Sequence, residues 1–373
     1  MAPPPPELND DTIAEILLRL PPDEPEHLFR ASLVCKRWLR VLTDPVFRRC
    51  YRAFHRAPPL LAYIQRRLAI QGDPEPRLIP TTAVPLAPNP SFARALDCHH
   101  GCVLLRANPG LIVWDPITGD QKCVSDAGVD WPFYSAAVFC AVSGCQHIDC
   151  HGGPFRVVFV GTDDREKIVK ATVYSSDSGA WSMPVSLAHD CETYAQHKKD
   201  AMKAMGRTSY TPYVHPGRGA VIGDEIYFTL RWGNPIVKYE LSRNCISMTD
   251  SPRNPRSIPL MEMGDNTLGF AYSKALSLYV WSRKVRSGGA AEWMQYRVIE
   301  LEGTIPVANP GDRAFVIGYA EGLNVIFMAT SAGLFTFELE SGRVKKIDEP
   351  QVYFNVLPYM SFYTPGILDA FCM

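Results

Sequence analysis

The sequence predicts a small all-α segment followed by a much larger all-β domain, and three observations predict it. Near the N-terminus, Ile13, Ile16, Leu17 and Leu20 fall at i, i+3, i+4 and i+7, the spacing of one helix face. Beyond residue 90, short β-like runs recur between turn signals. Several of those runs repeat one phrase, an aromatic strand, a turn and a second strand.

With 373 residues the chain has room for two or three domains, or one small and one large. Its 46% hydrophobic and 21% charged content is that of a folded protein. A net charge of -1 sets up no overall field for nucleic acid or an anionic membrane, so neither is an expected partner. The opening MAPPPPELNDD has neither the basic flank nor the apolar run of a secretory signal, and no stretch approaches the roughly 18 apolar residues of a membrane span. Eleven irregularly spaced cysteines suit reduced thiols better than a disulfide framework. The expectation is a soluble chain of the cytoplasm and/or nucleus.

The Pro3 to Pro6 run makes residues 1–6 an extended tail. Asn9 and Asp10 can cap the first helix, Thr12 and Glu15 have capping-box spacing, and Pro21-Pro22 ends it. Pro25 suits the first turn of a second helix carrying Leu28. Val34, Trp38, Val41 and Leu42 space out a third, and Asp44-Pro45 starts another turn. Three short helices bury too little to be stable alone, so they need a partner or the rest of the chain.

Leu8 to Pro21 (LNDDTIAEILLRLP), followed by Leu33 to Trp38 (LVCKRW) and Asp44 to Phe47 (DPVF), closely resembles the F-box. Two positions depart from its usual pattern: Asn9 stands where a proline normally follows the first leucine, and Thr12 where a leucine is common. The resemblance places an F-box at 7–54 and implies docking onto a Skp1-like adaptor, and through it a cullin. The chain would then be the substrate-recognition subunit of an SCF-type ubiquitin ligase, with no catalytic residues and no cofactor. By matching positions, Leu8, Ile13, Ile16, Leu17, Leu20, Leu28, Val34, Cys35, Trp38 and Leu42 divide between the adaptor interface and helix packing.

Proline-rich residues 55–90 read as a linker. From 91 to 373, β-like runs occur at Leu111–Trp114, 156–160, 171–174, Glu225–Thr229, 236–239, 278–281 and 334–337. Aromatic strands at Trp114, Tyr174, Tyr239, Tyr296 and Phe337 recur at or above the ~40–50 residue period of propeller blades. Small sheets that cannot bury both faces alone do so in a ring, so the expected architecture is a β-propeller of about six blades. DCHHGCVLL from Asp97, GPFRVVFVG from Gly153 and GYAEGLNVIF from Gly318 also look like the propeller-type associated domain of plant F-box proteins. Such a domain would capture a protein substrate. The insertion from about His189 to Gly219 reads as a contact surface or a mobile loop.

Other side chains in the sequence carry competing chemistry. Cys140, Cys145, His147, Cys150 and His151 are zinc-type ligands, as are Cys98, His99, His100 and Cys102, but neither group has a CxxC pair. Strand alternation and rim loops should point these side chains apart, so no metal site is expected. Walker, GxGxxG, GxSxG and HExxH motifs are absent from the sequence. A propeller enzyme with a scattered active site, or a ligand-binding module independent of ubiquitination, stays as the alternative. The basic stretch from Lys36 to Arg67 reads as solvated helix faces.

Overall fold

Asn9 starts the first helix. In the computed structural model its side chain accepts the Thr12 N–H at 2.8 Å, and α1 runs over Asp10–Leu18. The structure describes residues 8–66, 78–91, 94–107, 110–145, 147, 150, 152–231, 235–249, 258–264, 266–285, 291–309 and 311–364. The expected 1–6 tail, His151 and Arg67 lie outside them. The anticipated Thr12–Glu15 capping box does not form, because Asn9 already caps the turn. Glu15 instead pairs with Arg19 at 2.6 Å.

Helices α2 (Glu26–Ser32) and α3 (Lys36–Thr43) follow. The turn at Asp44-Pro45 grows into a fourth helix, α4 (Pro45–His55), so the expected count of three is too low. Asp44 accepts the Val46 N–H at 2.6 Å and Pro45 occupies the first turn. Phe47 and Tyr51, four apart, then reach the core formed by Ile13, Leu17, Leu28 and Leu42.

Beyond these helices the described residues form six small antiparallel sheets. Strands β1 (Leu60–Arg66) and β2 (Leu78–Pro80) come first in sequence. Blade one is β3 (Arg94–His99), β4 (Cys102–Arg106), β5 (Leu111–Trp114) and β6 (Gln121–Val124). Blade two is β7 (Phe133–Cys140), β8 (Phe155–Asp163), β9 (Ile168–Ser175) and β10 (Ala180–Trp181), with β11 (Val185–Ser186) also on β9. After helix α5 (Glu192–Met205), blade three is β12 (Ala220–Ile222), β13 (Glu225–Thr229), β14 (Ile236–Glu240) and β15 (Cys245–Thr249). Blade four is β16 (Leu260–Met263), β17 (Thr267–Lys274), β18 (Ser277–Val285) and β19 (Ala291–Glu300). Blade five is β20 (Phe315–Ala320), β21 (Val325–Thr330), β22 (Gly333–Glu338) and β23 (Val344–Asp348). Blade six joins the two ends of the domain, with β24 (Asn355–Met360) pairing β1 and β1 pairing β2.

Strand β24 packs between β20 and β3 and closes a six-bladed propeller. One apolar cluster fills each blade-to-blade interface. Leu104 and Val138 belong to that of blades one and two, and Val158 and Ile226 to that of two and three. Ile222 and Phe270 then Leu278 and Phe337 continue the series, which Phe327 and Val356, and Leu357 and Trp114, complete. This is how sheets with two apolar faces bury both.

The recurrent phrase is a turn between third and fourth strands. The N–H of Gly119 donates to Asp115 O at 2.8 Å, Gly179 to Ser175 O at 2.9 Å and Gly342 to Glu338 O at 2.9 Å. All three glycines have positive φ, which a side chain would resist.

Three expectations need correction. Residues 55–90 are not a plain connector, since β1 and β2 belong to a blade whose inner strand arrives some 300 residues later. Tyr296 lies on β19, the outer strand; the third strand of blade four is β18, and two successive aromatic strands hid the register. The 189–219 insertion contains a helix, α5. It is capped by left-handed Gly206, anchored through buried Ala201, and tied down by Tyr194 Oη donating to Lys167 O at 3.0 Å.

Candidate functional site

The ten N-terminal positions singled out in the sequence separate by burial. Ile13, Leu17, Leu28 and Leu42 are buried and hold the four helices together. Leu20 and Trp38 are half-buried against them. Leu8 (46% exposed), Ile16 (42%), Val34 (62%) and Cys35 face solvent. Leu33, half exposed beside Val34, is not among the ten, although the LVCKRW match begins with it.

An ion pair from Arg37 Nε to Asp10 Oδ1 ties the start of α3 to the start of α1. Leu8 and the Leu33–Cys35 turn therefore share one edge of the helical unit. The core beneath this edge is already filled, so these apolar groups are available to a partner.

That unit is seated on the propeller. Phe362, just beyond β24, enters the helical core, with its ring 6.2 Å from that of Tyr51 at 81°. Arg56 and Pro58, after α4, border a cavity of about 280 Å³ at one mouth of the central channel. The far ends of the inner strands, at His99 and Glu321, border it as well. Their starting ends, at Gly217, Val316 and Asn355, border a smaller cavity of about 70 Å³ on the other face.

Between the two cavities the channel is filled by charge. Arg218 Nε donates to Asp97 Oδ1 at 3.0 Å, and Nη2 to Glu321 Oε2 at 3.1 Å. His99 Nδ1 lies 2.9 Å from Arg218 Nη2 and 3.2 Å from Glu321 Oε2. Asp97 Oδ2 also accepts the Val138 N–H at 2.9 Å, so blades one, two, three and five meet here. Burial by itself raises the Glu321 carboxyl, but the Arg218 charge and the His99 contact overcome it and hold it at about 2. Burial likewise lowers the Arg218 guanidinium, and Glu321 and Asp97 raise it further than burial lowers it. Neither partner is poised to exchange a proton near neutral pH; the cluster is a fastening.

The cysteine and histidine residues behave differently from expectation. Cys98 is buried, His99 joins the channel cluster, and His100 stacks on His147 with ring centroids 3.8 Å apart. Cys140, Cys145, His147 and Cys150, expected to diverge, instead converge. Only Cys140 is on a strand; the other three follow in the β7–β8 connection, where turns rather than strand alternation set direction.

Comparison with known proteins agrees with the helical unit. Residues 6–50 match the F-box domain family, and the chain carries an F-box domain at its N-terminus. It is 24% identical over 315 residues to the F-box protein At5g03970 of Arabidopsis thaliana, covering 76% of this chain and 67% of that protein. Among solved structures, the extracellular domain of the BT4673 hybrid two component system of B. thetaiotaomicron aligns with 15% identity and a TM-score of 0.35. That alignment covers 69% of this chain and 27% of the other, so the chain spans about a quarter of that length. The SapL1 lectin in complex with alpha methyl fucoside aligns with 12% identity and a TM-score of 0.36, covering 68% of this chain and 74% of the lectin. The blade count rests on the strand pairing of this chain.

Proposed function

We propose that this chain is the substrate-recognition subunit of an SCF-type cullin-RING ubiquitin ligase. F-box domains generally bind Skp1-like adaptors, and F-box proteins generally act as adaptor subunits rather than enzymes. The observation that carries the reading is the solvent-facing edge of Leu8, Leu33, Val34 and Cys35, with Ile16 exposed further along α1, on a helical unit whose core is already filled. Of the ten positions, Leu8, Ile16, Val34 and Cys35 touch the adaptor, with Leu20 and Trp38 at the margin. Ile13, Leu17, Leu28 and Leu42 shape the surface from behind.

The face holding the F-box is committed to the ligase, and the other face of the ring presents the protein target. That is the face of the smaller cavity, where α5 stands over the β8–β9 turn. Holding a target and a charged conjugating enzyme in one assembly raises their effective concentration, so transfer needs no acid, base or nucleophile from this chain. The reading places the protein in the cytoplasm and/or nucleus. No helix among the described residues is long and apolar enough to cross a membrane.

The test is co-purification with a plant Skp1-like adaptor. The parent chain and a Leu17→Val variant should bind, while Ile16→Asp and Val34→Asp, which place a charge in the interface, should not. Failure of the parent to bind several such adaptors would sink the proposal and leave the propeller as an independent module.

A further inference from the structure

The connection between β7 and β8 lies on the F-box face of the ring and gathers four metal-binding side chains. The Sγ atoms of Cys140, Cys145 and Cys150 and a ring nitrogen of His147 all lie within 4.8 Å of one another. Cys145 Sγ is 3.7 Å from Cys150 Sγ, and His147 Nδ1 is 3.6 Å from Cys150 Sγ. A tetrahedral ion with bonds of about 2.3 Å to sulfur and about 2.0–2.1 Å to nitrogen has S···S edges of about 3.8 Å and S···N edges of about 3.6 Å. Two edges of such a tetrahedron are therefore already in place, and the longest separation in the group is within reach of a small side-chain rotation.

Backbone donors reach two of the sulfur atoms. The Val142 N–H donates to Cys140 Sγ at 3.4 Å and the His147 N–H to Cys145 Sγ at 3.4 Å, each from two residues further along. Backbone donors to ligand sulfur are the outer-shell contacts that orient and partly neutralise a metal thiolate. Lys122 Nζ donates to Gly152 O at 3.1 Å, which sets a positive charge at the base of the same connection. The His147 ring is held flat on His100, whose Nδ1 in turn accepts the Cys140 N–H at 3.2 Å. His147 itself has φ of 55°, a left-handed backbone that turns its ring toward the cysteines.

We propose that Cys140, Cys145, His147 and Cys150 hold one structural zinc ion. Three thiolates and an imidazole select a soft or borderline metal over magnesium or calcium, and four protein ligands leave no open position for a substrate. The ion would fasten the blade-two connection against the His99–Cys102 turn of blade one. That is the rim of the 280 Å³ cavity on which Arg56 of the F-box unit also stands. It would thereby stiffen the seat of the F-box on the propeller.

The experiment is metal analysis of the full chain, purified under reducing conditions without chelators or nickel resin, followed by titration of the metal-stripped chain with Co2+. Expected are one zinc per chain and, with Co2+, the intense visible bands of a tetrahedral thiolate site. Cys145→Ser and Cys150→Ala should lose both signals, whereas Cys245→Ser, on an outer strand of blade three, should keep them. The unmodified chain decides the matter alone if the variants fail to fold. Zinc-free protein that gives no tetrahedral Co2+ spectrum overturns the proposal. So does zinc that survives both ligand substitutions, or a Cys145–Cys150 disulfide mapped in protein prepared with reductant.

Discussion

At the residue scale, neighbours in sequence separate into interface and core, and that separation is testable. Ile16 and Leu17 are adjacent on α1, yet Ile16 is 42% exposed and Leu17 is fully buried. Leu17→Ala should cost about 2–5 kcal/mol through a cavity in the helical core, read as a lower midpoint in urea. Ile16→Ala should leave that midpoint nearly unchanged while weakening adaptor binding. The sequence identified the apolar face but could not divide it, because periodicity reports which side of a helix is apolar and not what covers it. Glu321 offers a second test at this scale. Its carboxyl is held at about 2 against an ordinary value of 4.5, so its ion pair stabilises the fold fully above pH 4.5. That contribution is lost as pH falls from 4.5 toward 2. Glu321→Gln should therefore melt lower than the parent at pH 7, where Arg218 is left under-compensated, and the gap should narrow through that acid window. A gap that stays constant with pH would refute the pairing. Sequence alone gave no hint of this cluster, since Asp97, Arg218 and Glu321 come from three blades and meet only when the ring closes.

At the scale of elements, what could be read from the sequence is what is local. The turns at Asp115–Gly119, Ser175–Gly179 and Glu338–Gly342 were legible because each needs only its own residues, an acceptor carbonyl and a left-handed glycine four places on. Helix α5 was not legible: it is polar on most of its surface and anchored by few side chains, among them Tyr194 and Ala201. The cysteine cluster was misread for the opposite reason, as strand alternation was applied to a turn. A junction between elements carries its own prediction. Phe362 follows the last strand but completes the core of the F-box helices. Phe362→Ala should cost those helices about 3–5 kcal/mol. It should also uncouple them from the propeller, so that calorimetry resolves a low-temperature transition of the helices ahead of the main one. Hydrogen exchange should rise in α1 and α4 and stay unchanged in the blades. A single transition shifted as a whole would show that the helices depend on the propeller by another route.

At the scale of the whole molecule, the decisive feature is that the propeller closes with strands from both sides of its own sequence. Strand β1 pairs along β24 from Leu60 to Arg66, and Leu61, Ala62, Tyr63 and Ile64 are each no more than 1% exposed. Burial of a large apolar side chain is worth about 1.5–3 kcal/mol, so Leu61, Tyr63 and Ile64 together contribute on the order of the 5–15 kcal/mol that stabilises a typical domain. Strand pairing over such a separation leaves no local trace, which is why a proline-rich stretch read as a linker and the boundary fell near residue 90. The two boundaries make opposite predictions. A fragment of residues 91–373 lacks β1 and β2, and leaves β24 without a partner on its outer side and blades one and five facing a gap. It should be recovered aggregated, or as a species that binds hydrophobic dye and melts without cooperativity. A fragment of residues 57–373 retains every blade and should melt cooperatively, somewhat below the full chain because Phe362 is uncovered. If the shorter fragment folds as well as the longer one, β1 contributes little to closure. The propeller is then a unit independent of the segment joining it to the F-box.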